Sequence, residues 1–229
     1  RKKTGVNYAI STDSDIYLYD VASGSTKNLC KPEGYKAPEI NATKTMKTQA
    51  INHQQGDLNM GYDTNPLFSP DGKYVAWQSM KNDGYESDRN RLCMYNLATG
   101  EKKYVAEKFD SNVDAFCWNA DSKTLYFIGC WHACVNMYQT NLNGDVRALT
   151  DDWMDFGSIQ MLGKTGKILA SRHSISQADE LYIITPGKDV KKTKVQQITN
   201  ENKAFYDQLE MGKVQERWVK TTDGKQMQV

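Results

Sequence analysis

The chain has no run of 18 apolar residues, which excludes a membrane-spanning helix. It has almost no net charge: 29 Lys and Arg against 28 Asp and Glu leave a formal +1. That field is too weak to point to nucleic acid or to an anionic membrane surface. It has five cysteines, at 30, 93, 117, 130 and 134. An odd number in so long a chain is not a disulfide framework. The opening Arg1-Lys2-Lys3-Thr4-Gly5 has no apolar stretch behind it, so no signal peptide is expected here; an exported parent has lost it by cleavage. With 39% hydrophobic and 25% charged residues the composition suits an ordinary globular protein.

What the chain does have is a recurring unit. Four segments run through an apolar strand into a turn glycine: Ile16 to Gly24, Leu92 to Gly100, Asn136 to Gly144 and Leu181 to Gly187. The glycines lie 76, 44 and 43 residues apart. A period of about 40–50 residues with several short strands per unit is the pattern of a β-propeller blade. A second marker precedes the last three copies. Ser69-Pro-Asp-Gly72 is a turn in which Pro presets φ and Gly supplies the left-handed residue. Asn119-Ala-Asp-Ser122 and Gly163-Lys-Thr-Gly166 hold the same place downstream. Each is followed by an apolar strand: Tyr74–Trp77, Thr124–Ile128 and Lys167–Ala170.

These repeats predict an all-β fold, a partial β-propeller of four-stranded antiparallel blades occupying residues 1–203. Blades are expected near 62–106, 112–150 and 156–199, with a partial blade at 6–30. Residues 31–61 read as a surface insertion with a helical turn around 42–50. Residues 204–229 read as linker strands, with Thr221-Thr-Asp-Gly224 joining Val214–Lys220 to Lys225–Val229. An open arc of blades leaves unpaired strand edges, and these favour pairing with a second copy.

Gly61 to Trp77, followed by Met80 to Leu92, resembles the propeller of the prolyl oligopeptidase family of serine peptidases, nearest to its bacterial dipeptidyl-peptidase and acylaminoacyl-peptidase members. Asp83-Gly-Tyr-Glu-Ser-Asp88 is the more specific part of that match, since Ser-Pro-Asp-Gly also occurs in TolB-like propellers. The tail Glu216 to Val229 resembles the strand pair leading into that family's α/β-hydrolase domain. The resemblance implies a periplasmic or secreted peptidase whose propeller gates and positions short peptides. The family's nucleophile sits in a Gly-x-Ser-x-Gly elbow, and these 229 residues contain none. No catalytic residue is therefore assigned, no cofactor is expected, and the hydrolase domain is expected to be a separate part of the parent. The alternative is a TolB-like periplasmic interaction propeller without hydrolase activity.

Several residues have two readings. Among the family's aminopeptidase-like members, propeller carboxylates hold the substrate's free amino group through charge-assisted hydrogen bonds; the resemblance nominates Glu86 and Asp83 for that role. The other reading is a solvated hairpin loop with Arg89 and Arg91 beside it. Cys130 and Cys134, with His132 between them, read as free thiols or as a cross-hairpin disulfide. Three potential ligands on one tight turn fall short of a closed zinc site, so no metal is assigned. His53, His132 and His173 lie in no nucleophile motif. Asp151-Asp-Trp-Met-Asp155 reads as an inter-blade turn with Trp153 packed on a neighbour, or as a cation site, since clustered carboxylates suit hard cations. Trp77, Trp118 and Trp131 read as blade-packing residues, and Asn41-Ala-Thr43 as a chance sequon.

Overall fold

Alternation and turn chemistry decide the local structure. A computed structural model describes residues 11–36, 58–84 and 86–229. Among them are three four-stranded antiparallel sheets in which each strand pairs with its neighbour in sequence, together with two hairpins. The four-stranded antiparallel meanders expected of the fold class are thus present. The helical turn near 42–50, His53 and the Asn41 sequon lie outside the described residues.

The chain divides into two compact units. The first contains residues 1–113 with two short returns, 121–123 and 140–146. Its opening hairpin joins β1 (Tyr17–Tyr19) to β2 (Thr26–Asn28). Its sheet runs β3 (Asp63–Phe68), β4 (Tyr74–Ser79), β5 (Arg91–Asn96) and β6 (Lys102–Tyr104). The Ser69–Gly72 turn closes β3 onto β4. Gly72 N donates to Ser69 O at 2.9 Å with φ +70°, and Ser69 Oγ donates to Asp71 Oδ1 at 2.7 Å. The register slips between Thr64 and Leu67, where Pro66 has no N–H to give the ladder. All of Val75–Ser79 is buried, which explains why β4 reads as a continuous run. Val75, Trp77, Cys93 and Tyr95 form one core with Ile16, Leu29 and Cys30 from the opening hairpin.

The second unit contains β7 (Ala115–Trp118), β8 (Thr124–Trp131), most of β9 (Cys134–Asn141) and β10 (Arg147–Ala148). It continues with β11 (Asp155–Met161), β12 (Ile168–Ser174), β13 (Gln177–Thr185) and β14 (Lys194–Gln197). Cys117, Tyr126, Ile128, Met137, Leu149, Phe156, Ile168 and Ile184 share its core. After a short helix, α1 (Lys203–Tyr206), the chain ends in a hairpin of β15 (Trp218–Lys220) and β16 (Gln226–Gln228). Those two strands are shorter than the patterning implied, because both are exposed along most of their length and have no core to extend them.

Three packing expectations need correction. Trp77 and Trp118 are buried, but Trp131 stands at a hairpin tip and is 45% exposed. Trp153 is 54% exposed and is not packed in the manner expected. The ends of the 31–61 segment are not surface: Lys31, Leu58 and Asn59 are buried, drawn in by the polar cluster described next.

Candidate functional site

The acidic loop leaves β4 and returns to β5, and its two nominated carboxylates have opposite environments. Asp83 is buried. Its Oδ1 accepts from Ser11 Oγ at 2.7 Å, Thr12 N at 2.7 Å and Asp13 N at 3.1 Å. Gly84 N donates in return to Thr12 Oγ1 at 2.8 Å. Asp83 is therefore an anchor for backbone some 70 residues earlier, a use that neither sequence reading named. Asp88 braces the loop from within, accepting from Asn82 N at 2.7 Å and Asn82 Nδ2 at 2.8 Å. Glu86 is exposed and accepts from Tyr62 Oη at 3.2 Å. The arginines expected beside these acids turn elsewhere. Arg89 pairs with Glu107 at 3.3 Å, and the Arg91 guanidinium lies 3.9 Å from the Tyr104 ring centroid.

Beneath the loop's anchor point is a buried polar cluster that the sequence reading missed. Lys31 Nζ donates to Asp13 Oδ1 at 3.1 Å, Asp15 Oδ1 at 2.6 Å and Asn59 O at 2.8 Å. Burial works against the Lys31 ammonium, but the carboxylates of Asp13 and Asp15 outweigh it and raise its pKa. Asn59 Nδ2 donates to Ser79 Oγ at 2.8 Å and Asp63 Oδ1 at 3.2 Å. Trp77 Nε1 also donates to Asp63 Oδ1, at 2.8 Å. Lys102 Nζ reaches Cys30 O at 2.6 Å and Asn59 Oδ1 at 2.5 Å. Burial pushes the Asp63 carboxyl up to about 6, against the opposing pull of Ser79 and Trp77. Burial, reinforced by Asp63, also raises the Cys30 thiol. The available signal was Thr12-Asp13-Ser14-Asp15, an acidic stretch entering a strand, with Lys31 just after the next one. No local spacing announces that these segments meet.

The cysteine hairpin belongs to the second unit. His132 and Ala133 connect β8 to β9 with φ of 52° and 62°. A two-residue turn of this hand sets Trp131 across from Cys134, and the pleat turns Cys130 to the other face. Both cysteines are free thiols; the out-of-step register is the physical reason against the bridge. The His132 ring stacks on Trp131 at 4.8 Å and meets Trp218 edge-on at 5.8 Å. Gln228 Nε2 donates to His132 O at 3.1 Å. Of the 151–155 turn, Asp152 pairs with the buried Arg172, and Asp155 Oδ1 accepts from Val135 N at 2.6 Å.

No family model matches the chain. It is 41% identical over 228 residues to a dipeptidyl-peptidase 5 of Porphyromonas gingivalis, a match covering 99% of this chain and 29% of that protein. An uncomplexed acylaminoacyl peptidase of Pyrococcus horikoshii superposes with a TM-score of 0.65, at 15% identity over 99% of this chain and 29% of its own. The β-propeller domain of the trilobed protease of Pyrococcus furiosus gives 0.51, at 14% identity over 85% of this chain and 46% of its own. The chain is homologous to the propeller of prolyl oligopeptidase-family peptidases. TolB from Acinetobacter baumannii shares the fold as well, with a TM-score of 0.52 at 18% identity over 82% of this chain and 38% of its own. The chain spans under a third of the length of the peptidase relative it matches along its whole length. The likeness to these solved structures carries the propeller fold to these residues, and Glu86 and Asp83 sit in that fold as an exposed carboxylate and a buried backbone anchor.

Proposed function

We propose that these residues form a non-catalytic propeller portion of a periplasmic or secreted serine exopeptidase, of dipeptidyl or acylaminoacyl type, that gates and positions short peptide substrates. The 41% identity to a dipeptidyl-peptidase 5 along 99% of this chain supports this reading. Within it, the two acidic-loop carboxylates divide the work. Asp83 holds the loop in place through the 11–13 backbone. Glu86, exposed and fixed by Tyr62, takes the substrate's ammonium by a charge-assisted hydrogen bond.

The test is Glu86→Gln in the intact parent enzyme, assayed on paired peptides with free and blocked amino termini. The expected result is a raised KM for the free-amino substrates with little change for the blocked ones. Equal effects on both remove the assigned role. The second reading, a TolB-like interaction propeller, draws on the shared fold. It predicts that the parent turns over neither class of peptide.

A further inference from the structure

The acidic loop is tied at its root and near its tip to one residue outside it. Tyr62 directly precedes β3, and Met80 directly follows β4. Asp63 and Ser79 form the last pair of the ladder between those strands, and Met80 N then donates to Tyr62 O at 2.8 Å. Gly61 makes this close approach possible. A Cβ there would lie 2.8 Å from Met80 Cβ and 2.9 Å from Met80 O, so any side chain would push the root of the loop away. Alternation sends Asp63 into the core and leaves the Tyr62 side chain half-buried. Its hydroxyl reaches 24 positions along the chain to donate to Glu86 Oε1 at 3.2 Å.

The other ties on the loop stop short of Glu86. Asp83 is anchored to the 11–13 segment, and Asp88 to Asn82. Neither orders the exposed Glu86 side chain. Ordering such a side chain only when a ligand arrives opposes binding through lost rotamer freedom. A hydroxyl on one carboxylate oxygen orders it beforehand. An ionised carboxylate has about four acceptor sites, so one hydrogen bond leaves capacity for an ammonium. The donor is neutral and leaves the carboxylate charge in place. Arg89 and Arg91, the nearby cations in sequence, are engaged with Glu107 and with the Tyr104 ring.

We propose that Tyr62 is a positioning residue for recognition of the free amino terminus. Its carbonyl sets the root of the acidic loop, and its hydroxyl holds the Glu86 carboxylate in the orientation that receives the ammonium. Tyr62 acts through Glu86 and does not itself take the substrate. This inference rests on the reading of Glu86 given above and adds a determinant of specificity that lies outside the loop.

The test compares Tyr62→Phe, Glu86→Gln and the double variant in the intact parent enzyme, on paired peptides with free and acetylated amino termini. KM is read for peptides that are cut, and a competitive inhibition constant for those that are not. Phe keeps the ring and the carbonyl bond to Met80 and removes only the hydroxyl. The expected result for Tyr62→Phe is a rise of about three- to tenfold in the free-to-blocked ratio of these constants, without a matching fall in kcat. In the Glu86→Gln background Tyr62→Phe should add nothing, because the two residues act as one unit. If Glu86→Gln raises the ratio and Tyr62→Phe leaves it unchanged, the positioning role falls and the reading of Glu86 stands. If neither variant changes the ratio, both fall together. Equal losses on free and blocked peptides, or a Tyr62→Phe effect that persists in full without the Glu86 carboxylate, also overturn the proposal.

Discussion

Replacing Asp63 with Asn tests the electrostatics of the first unit directly. The Asp63 carboxyl is raised from 3.8 to about 6 in the folded chain, chiefly by burial. For an acid, a raised folded value means that the native state holds its proton over a window in which the unfolded state has released it. Stability from this group is therefore present at pH 4 and is lost as pH climbs through 6. A displacement of about two pH units corresponds to about 3 kcal/mol at about 1.4 kcal/mol per unit. Asn keeps the acceptor that Trp77 and Asn59 use and cannot ionise. The assay is urea unfolding of both proteins from pH 4 to 8. The gap between the two should move in favour of the Asn variant by about 3 kcal/mol between pH 4 and 7, then level off. The carboxyls held low by hydrogen bonds, such as Asp71 and Glu180, change with pH in both proteins and cancel in the difference. A gap independent of pH, or one in which wild type gains as pH rises, refutes the reasoning. The second outcome would mean that Lys31 and Lys102 overcome burial.

Two further expectations follow from the same structure. Asp83→Ala strands the Thr12 and Asp13 amides and the Ser11 hydroxyl, and should cost about 3 kcal/mol in chemical unfolding; Glu86→Gln, at an exposed position, should stay within about 0.5 kcal/mol. A thiol reagent should label Cys130 and Cys134 in the native protein while the buried Cys30, Cys93 and Cys117 react only on unfolding, and the two outer thiols should react more slowly than a free cysteine because burial raises both.

The repeat was legible because a blade is a local object. Ser69-Pro-Asp-Gly72 and the glycines at 24, 100 and 144 each force a left-handed residue, so strand, turn and strand follow within a few positions. The same locality explains Ser122, which takes φ 56° where the first copy has glycine. The family resemblance rested on this grammar together with the Asp83–Asp88 loop. Burial along a strand was less legible. Trp131 has the same composition cues as Trp77, yet its place at the hairpin tip leaves it outside the core, and no pattern of period two distinguishes the end of a strand from its middle.

The sequence by itself determined the all-β architecture, the number of recognisable repeats and their turns, because those depend on contacts between residues a few positions apart. Tertiary structure alone decided that Asp83 is an anchor, that Asp15, Cys30 and Asp63 converge, and that the ends of the 31–61 segment turn inward. Those outcomes join residues separated by tens of positions, and they depend on which polar atoms must find partners once water is excluded, a condition that exists only after the chain has closed on itself.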